Sequence, residues 1–224
     1  MKYFIANWKA CMTQSQAQSW MHVFLKSILN DSNLQQKLQT NQIKIIICPP
    51  YPILALIRPL IKNIINVELG SQDLSMMNEG SYTGECTAKM LKDYATFAII
   101  GHSERRKYFL ETDEIIAKKI NQAKLQGLEP VVCIRNEVDS YPPDVSILAY
   151  EPVYAIGTGQ NEPVQKVVDF KNKLRLTNQA HFLYGGSVDP DNAKLYLESD
   201  SINGFLIGTS SLNPQIFYSI VKLG

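Results

Sequence analysis

Eight short apolar runs of strand length divide this chain: Tyr3 to Ala6, Ile43 to Cys48, Val67 to Leu69, Phe97 to Ile100, Pro130 to Ile134, Ile147 to Tyr150, Phe182 to Tyr184 and Gly204 to Ile207. Helical patterns lie between most of them. Ala17, Trp20, Met21, Phe24 and Ile28 fall on one helical face, entered through a Thr13/Gln16 capping box. Ile116, Ile120 and Ala123 make another face; Thr112 caps it, Asp113 and Glu114 suit the positive helix end, and Gly127 closes it. Strands alternating with helices imply parallel pairing and right-handed crossovers. Eight such units closing on themselves make a single (β/α)8 barrel, whose chemistry sits at the C-terminal ends of the strands.

One connection departs from the rule. Only Arg135 to Val145 separates the fifth and sixth runs, with Pro142-Pro143 and no amphipathic face. The helix between strands five and six is therefore predicted to be missing. About eleven extended residues reach roughly 35 Å, enough to return along a strand of about 17–20 Å, so the barrel still closes. With 224 residues and no linker or repeat, the chain reads as one domain over residues 1–224.

Composition narrows the partners. The net charge is +1 with both signs scattered, so no nucleic-acid or membrane footprint stands out. The apolar stretch from Ile53 to Ile65 is broken by Arg58, Pro59, Lys62 and Asn63, and residues 1 to 10 lack a signal-peptide pattern, which together predict a cytoplasmic protein acting on a small molecule. Cys11, Cys48, Cys86 and Cys133 lack CxxC spacing, lie in or next to apolar segments and read as buried free thiols.

The residues suited to chemistry cluster just beyond strand ends. Glu151 follows the sixth run and leads into Pro152-Val153-Tyr154-Ala155-Ile156-Gly157-Thr158-Gly159, a stiffened exit followed by glycines whose amides can approach an anion. That suggests a base followed by a lid, although the fragment in isolation reads first as a surface Glu before an ordinary turn. Asn7 and Lys9 follow the first run and supply an amide and a fixed cation. His102, in Gly101-His102-Ser103-Glu104-Arg105-Arg106, starts a helix, where the positive dipole end disfavours imidazolium; it is expected to stay neutral. Tyr184-Gly185-Gly186-Ser187 and Gly208-Thr209-Ser210-Ser211 follow the last two runs, the usual place for a phosphate cradle in such barrels.

Base, neutral electrophile, cation and phosphate cradle fit proton transfer next to a carbonyl through an enediolate. That reaction needs no metal or redox cofactor. No metal-ligand spacing or dinucleotide fingerprint is present, and the histidines are His22, His102 and His181. Two rivals remain open. A Schiff-base aldolase would want a desolvated Lys where Glu151 stands, and a barrel that merely binds phosphorylated ligands would need no base at all.

Taken in order, Asn-Trp-Lys, Gly-His-Ser-Glu-Arg-Arg, Tyr-Glu-Pro-Val-x-Ala-Ile-Gly-Thr-Gly and Tyr-Gly-Gly-Ser resemble the triosephosphate isomerase family over essentially the whole chain. The resemblance implies a TIM barrel that interconverts dihydroxyacetone phosphate and D-glyceraldehyde 3-phosphate in glycolysis and gluconeogenesis. It implies Glu151 as base, His102 as electrophile, Lys9 as substrate-binding cation, Asn7 as its oxyanion partner and Glu104 as the acid positioning Lys9. Gly157, Ser187, Gly208 and Thr209 match the phosphate site. Pro152, Val153, Tyr154, Ala155 and Ile156 match the lid, and Ile156 with Leu206 matches the clamp that presses on the base. Gly80 to Glu85 resembles a loop that enters a partner subunit, implying a homodimer in which Cys11, Thr83, Glu85 and Arg105 lie at the interface and Arg105 meets Glu85 of the other chain.

Several positions depart from the family pattern. Tyr154 replaces a usual Trp in the first hinge, Asn136 replaces the Glu that meets it, and Gln160 replaces a hinge Lys, so lid opening is expected to change. Thr209 replaces a usual Gly; a β-branched residue resists positive φ, so the last phosphate turn is expected to be reshaped.

Overall fold

Strands buried on both faces need apolar side chains at every position, so the eight runs are the segments able to form an all-parallel sheet covered by helices. In the computed structural model, which describes residues 1–155 and 160–224, they form β1 (Lys2–Asn7), β2 (Ile43–Cys48), β3 (Val67–Ser71), β4 (Phe97–Ile100), β5 (Glu129–Ile134), β6 (Ile147–Tyr150), β7 (His181–Tyr184) and β8 (Gly204–Ile207). All pair in parallel and in sequence order, and β8 returns to β1 in the register Tyr3↔Gly204 through Ala6↔Ile207, which closes the barrel.

The period of two along a strand sorts the core into two shells. Tyr3, Ile5, Ile46, Cys48, Phe97, Ile99, Val131, Cys133, Ile147, Ala149, Leu183 and Leu206 fill the barrel interior. The alternate residues, among them Phe4, Ala6, Ile45, Ile47, Val132 and Phe205, face the helices. Those helices are α1 (Gln14–Leu29), α2 (Ser32–Gln39), α3 (Tyr51–Ile61), α4 (Ala88–Leu91), α5 (Ser103–Tyr108), α6 (Asp113–Leu125), α7 (Val164–Lys173), α8 (Pro190–Leu197) and α9 (Pro214–Val221). The Thr13/Gln16 capping box starts α1, whose buried face is the predicted one. Thr112 caps α6, and Gly127 follows its end at φ 75°, a left-handed turn that glycine adopts without a Cβ penalty. Among the described residues no helix is long and apolar enough to cross a membrane.

Between β5 and β6 no helix forms. The short connection is pinned by polar contacts. Asp139, 5% exposed, accepts from Arg135 N at 2.7 Å, Nε at 2.9 Å and Nη2 at 2.7 Å. Around it, Glu137 pairs with Lys173, Asp144 with Lys124, and the Tyr141 hydroxyl accepts Arg175 N–H. The exposed pairs contribute little each; the fork of the half-buried Arg135 on the buried Asp139 fixes the shape of the loop.

Candidate active site

The inward parity of the strands continues past their ends. Tyr3 and Ile5 lead to Asn7, and Ile147 and Ala149 lead to Glu151, so both polar residues roof the apolar interior at 5% and 1% exposure. They share a cleft of about 220 Å³ with Lys9, His102, Leu206, the β7 turn from Gly185 to Asp189 and the β8 turn from Gly208 to Ser210.

Across this cleft Glu151 Oε1 lies 2.9 Å from His102 Nε2, and Glu151 Oε2 accepts Ser103 N–H at 2.9 Å. Burial and the nearby Glu151 carboxylate push the Cys133 thiol up. Burial pushes the Glu151 carboxyl up, but the His102 ring, the Ser103 amide and Lys9 together hold it below the ordinary carboxylate range. For His102, burial disfavours the charged form and Glu151 favours it by more, so the ring is displaced upward. The helix end, which favours a neutral ring, is opposed here by a carboxylate in direct contact. His102 Nδ1 accepts the Glu104 N–H at 3.2 Å, a bond only the unprotonated nitrogen can make, so removing Glu151 from the ring leaves surroundings that favour the neutral form.

Lys9 occupies a left-handed conformation at φ 52°, which is strained for a residue with a Cβ. Three contacts hold it there. Asn7 Oδ1 accepts its N–H at 3.0 Å, Gln72 Nε2 donates to its carbonyl at 2.8 Å, and Glu104 Oε1 meets its ammonium at 2.5 Å. Because the Asn7 oxygen is thus engaged, its amide nitrogen is left to donate into the cleft.

The phosphate-site candidates divide. Ser187, Gly208 and Thr209 line the cleft; Gly157, with Ile156 of the lid, lies outside the described residues. Thr209 does not adopt positive φ. It opens a 3-10 turn, Thr209–Leu212, after Gly208 at φ −86° and ψ −107°, so the β-branched residue is accommodated without positive φ and the unusual backbone angles fall on Gly208. Leu206 is 2% exposed and shares the cleft with Glu151. Pro152 is buried, Val153–Ala155 forms a 3-10 turn, and Val153 and Tyr154 are exposed. The Tyr154 hydroxyl meets the Glu162 carboxylate, which together with burial pushes the phenol up to about 12; Asn136 instead turns back to accept Val138 N–H.

The remaining candidates lie off the cleft. Thr83 and Glu85 are exposed, as is all of Gly80 to Glu85; of the four thiols expected to be buried, Cys48 and Cys133 are, Cys86 is half-buried and Cys11 is exposed, because it sits in the loop between β1 and α1 and not in a strand. Arg105 is engaged within its own chain, its Nε lying 2.9 Å from Asp73 and 2.6 Å from Glu111, so the expected Glu85 is not its only acid.

Sequence reasoning missed the supports. Gln72 ties Lys9 to the end of β2 through Cys48 O, Ser211 Oγ joins Gly208 O to Asn7 O, and Arg106 links Gly101 O, Cys133 O and Asp113. Their signal in sequence was only proximity to the glycine turns and the His102 motif.

Comparisons with known proteins agree with this geometry. The chain matches the family model described as "Triosephosphate isomerase" over residues 2–143 and 140–224. It is 33% identical to the triosephosphate isomerase of Dictyoglomus thermophilum, covering 99% of this chain and 98% of that one. With that of Mycoplasma mobile it shares 34% identity over 99% of each chain. The crystal structure of triosephosphate isomerase from Bartonella henselae superposes with a TM-score of 0.80 at 27% identity, covering 99% of this chain and 98% of the other.

Proposed function

The chain belongs to the triosephosphate isomerase family, and from that premise we propose that residues 1–224 form one catalytic unit interconverting dihydroxyacetone phosphate and D-glyceraldehyde 3-phosphate through an enediolate. The observation that carries the mechanism is the buried Glu151 carboxylate at the end of β6, 2.9 Å from His102 Nε2 in a cleft shared with Lys9 and both glycine turns. The family is itself the type case of a Glu base working with a neutral His.

The resting Glu151–His102 contact masks both groups. Substrate entering between them separates the pair: Glu151 loses the ring that lowered its pKa while its burial remains, so it becomes a stronger base. His102 loses the carboxylate that raised its own pKa and keeps the Glu104 amide on Nδ1, so it returns to the neutral Nε2–H donor. Glu151 then takes the carbon-bound proton beside the carbonyl, and His102, Asn7 and Lys9 stabilise the oxyanion as it develops. Glu104 positions Lys9. The backbone amides of Ser187, Gly208 and Thr209, with Gly157 of the lid, hold the phosphate. Closure of Pro152 to Ile156 with Leu206 excludes water and protects the enediolate from losing phosphate.

The active form is proposed to be a cytoplasmic homodimer serving glycolysis and gluconeogenesis. The exposed Gly80 to Glu85 loop supports this, with Thr83 of one protomer beside Asn7 and Lys9 of its partner, near Cys11. Asp73 and Glu111 lie against Arg105 Nε, and Glu85 of the other protomer is proposed to meet its terminal nitrogens.

The test is a coupled isomerase assay with D-glyceraldehyde 3-phosphate supplied to wild type and Glu151→Gln. Robust turnover that disappears in the variant supports reaction and base together. Equal low rates would instead make this a phosphate-binding barrel.

A further inference from the structure

A phosphate dianion has only acceptor atoms, so each group around it helps only if it brings a proton. Among the described residues, three hydroxyls line the cleft: Ser187, Thr209 and Ser210. Two have already committed theirs. Ser187 Oγ donates to Ala155 O at 2.6 Å, and Ser210 Oγ donates to Val188 O at 2.6 Å. Ser211, behind the turn, donates to Gly208 O at 2.6 Å. While these bonds last, the serine oxygens present lone pairs, and their side chains repel an anion.

Thr209 differs. Its side chain is exposed to the cleft, and its hydroxyl has no hydrogen bond among the described residues. It also stands beside the cation. The adjoining Gly208 packs so closely on Lys9 that a Cβ there would lie 3.0 Å from Lys9 Cε and 3.5 Å from Nζ. The carboxylate of Asp189 shares the cleft, but one of its oxygens is directed to its own helix, accepting Asp191 N–H and Asn192 N–H at 2.9 Å each.

We propose that the Thr209 hydroxyl donates directly to the substrate's phosphate, adding a side-chain donor that a glycine at this position would not supply. The substitution at this turn then gains a ligand contact without backbone strain, since Thr209 is not at positive φ. The identity of the substrate rests on the isomerase reading; the hydroxyl–phosphate contact does not.

Inorganic phosphate is therefore the probe, used both as a competitive inhibitor in the isomerase assay and as titrant in calorimetry. Thr209→Val keeps the shape and removes the donor, and Thr209→Gly removes both. Each is expected to weaken phosphate binding and to raise KM together, by about fivefold or more, the scale of one charge-assisted hydrogen bond in a partly solvated cleft. Thr209→Ser restores both. Valine and glycine variants that fold, yet bind phosphate within twofold of wild type, overturn the proposal. So does a serine variant as weak as the valine one, because shape rather than the proton would then be responsible. A wild type that turns over no triose phosphate overturns the isomerase reading instead, and calorimetry still decides the role of Thr209.

Discussion

Gly185 permits a direct test of how closely Glu151 must be held. Its amide donates to Tyr150 O at 2.7 Å, on the residue preceding Glu151. A Cβ at position 185 would lie 2.9 Å from Glu151 Cγ and 3.1 Å from Tyr150 O. Against an ordinary contact of 3.4 Å, the shortfall at Cγ is 0.5 Å. The backbone has little room to retreat, because β6 and β7 pair from Ile147↔His181 to Tyr150↔Tyr184. Relief comes from Glu151, whose carboxylate must leave its 2.9 Å contacts with His102 Nε2 and Ser103 N. Catalytic groups tolerate roughly 0.5 Å of displacement, and about 1 Å can cost on the order of a hundredfold in rate. Gly185→Ala is therefore expected to lower kcat by about 10- to 100-fold while KM changes by less than about threefold. Overpacking of about 1–3 kcal/mol should lower Tm by roughly 3–10 °C. Steady-state kinetics in both directions, with a thermal melt to establish folding, make the measurement. A folded variant with kcat within twofold of wild type would refute the claim that this glycine sets the position of the base.

Leu206→Ala should lower turnover more than it weakens binding, because Leu206 shares the cleft with the base and helps keep water from it; an unchanged kcat with a raised KM would contradict this. Asp139→Asn addresses the connection that lacks a helix. Burial pushes the Asp139 carboxyl up, but its bonds from Arg135 bring it below the ordinary carboxylate value. Its contribution to stability is thus complete above about pH 4 and disappears as pH falls through the depressed pKa. The variant is expected to lose about 2–3 kcal/mol at pH 7 by urea unfolding, with the gap to wild type closing below pH 4; an equal gap at both pH values would exclude the ionic fork as its source.

The barrel was legible because each strand is buried on both faces and carries an uninterrupted apolar run; Ile43 to Cys48 needed no adjustment at all. Ends were blurred where the ladder continues through residues without an apolar signal, as at Gly70-Ser71, which pair with Phe97 and Ala98, and at the polar first residues Glu129 and His181. Glu151, Asn7 and Lys9 stood out because chemistry at strand ends leaves polar residues directly after apolar ones. The resting contact between His102 and Glu151 was not legible, since it joins the mouths of two strands and its strength depends on a distance that spacing in sequence does not encode. Gln72 and Ser211 were hidden for a related reason: they act by holding backbone carbonyls in place, and a Gln or Ser in a loop carries no mark of that.

The pairing of β8 with β1 also imposes an order in time. Asn7 and Lys9 are made well before the wall facing them, Gly208 to Ser211, and Ser211 both reaches Asn7 O and receives the Trp20 indole N–H on its carbonyl. Until β8 emerges, the nascent sheet has two unpaired edges, one on β1 and one on the newest strand, and such edges invite association with other chains. The cleft is thus completed in a single step, when β8 joins β1, and a chain halted before that step is an open sheet with half a cleft.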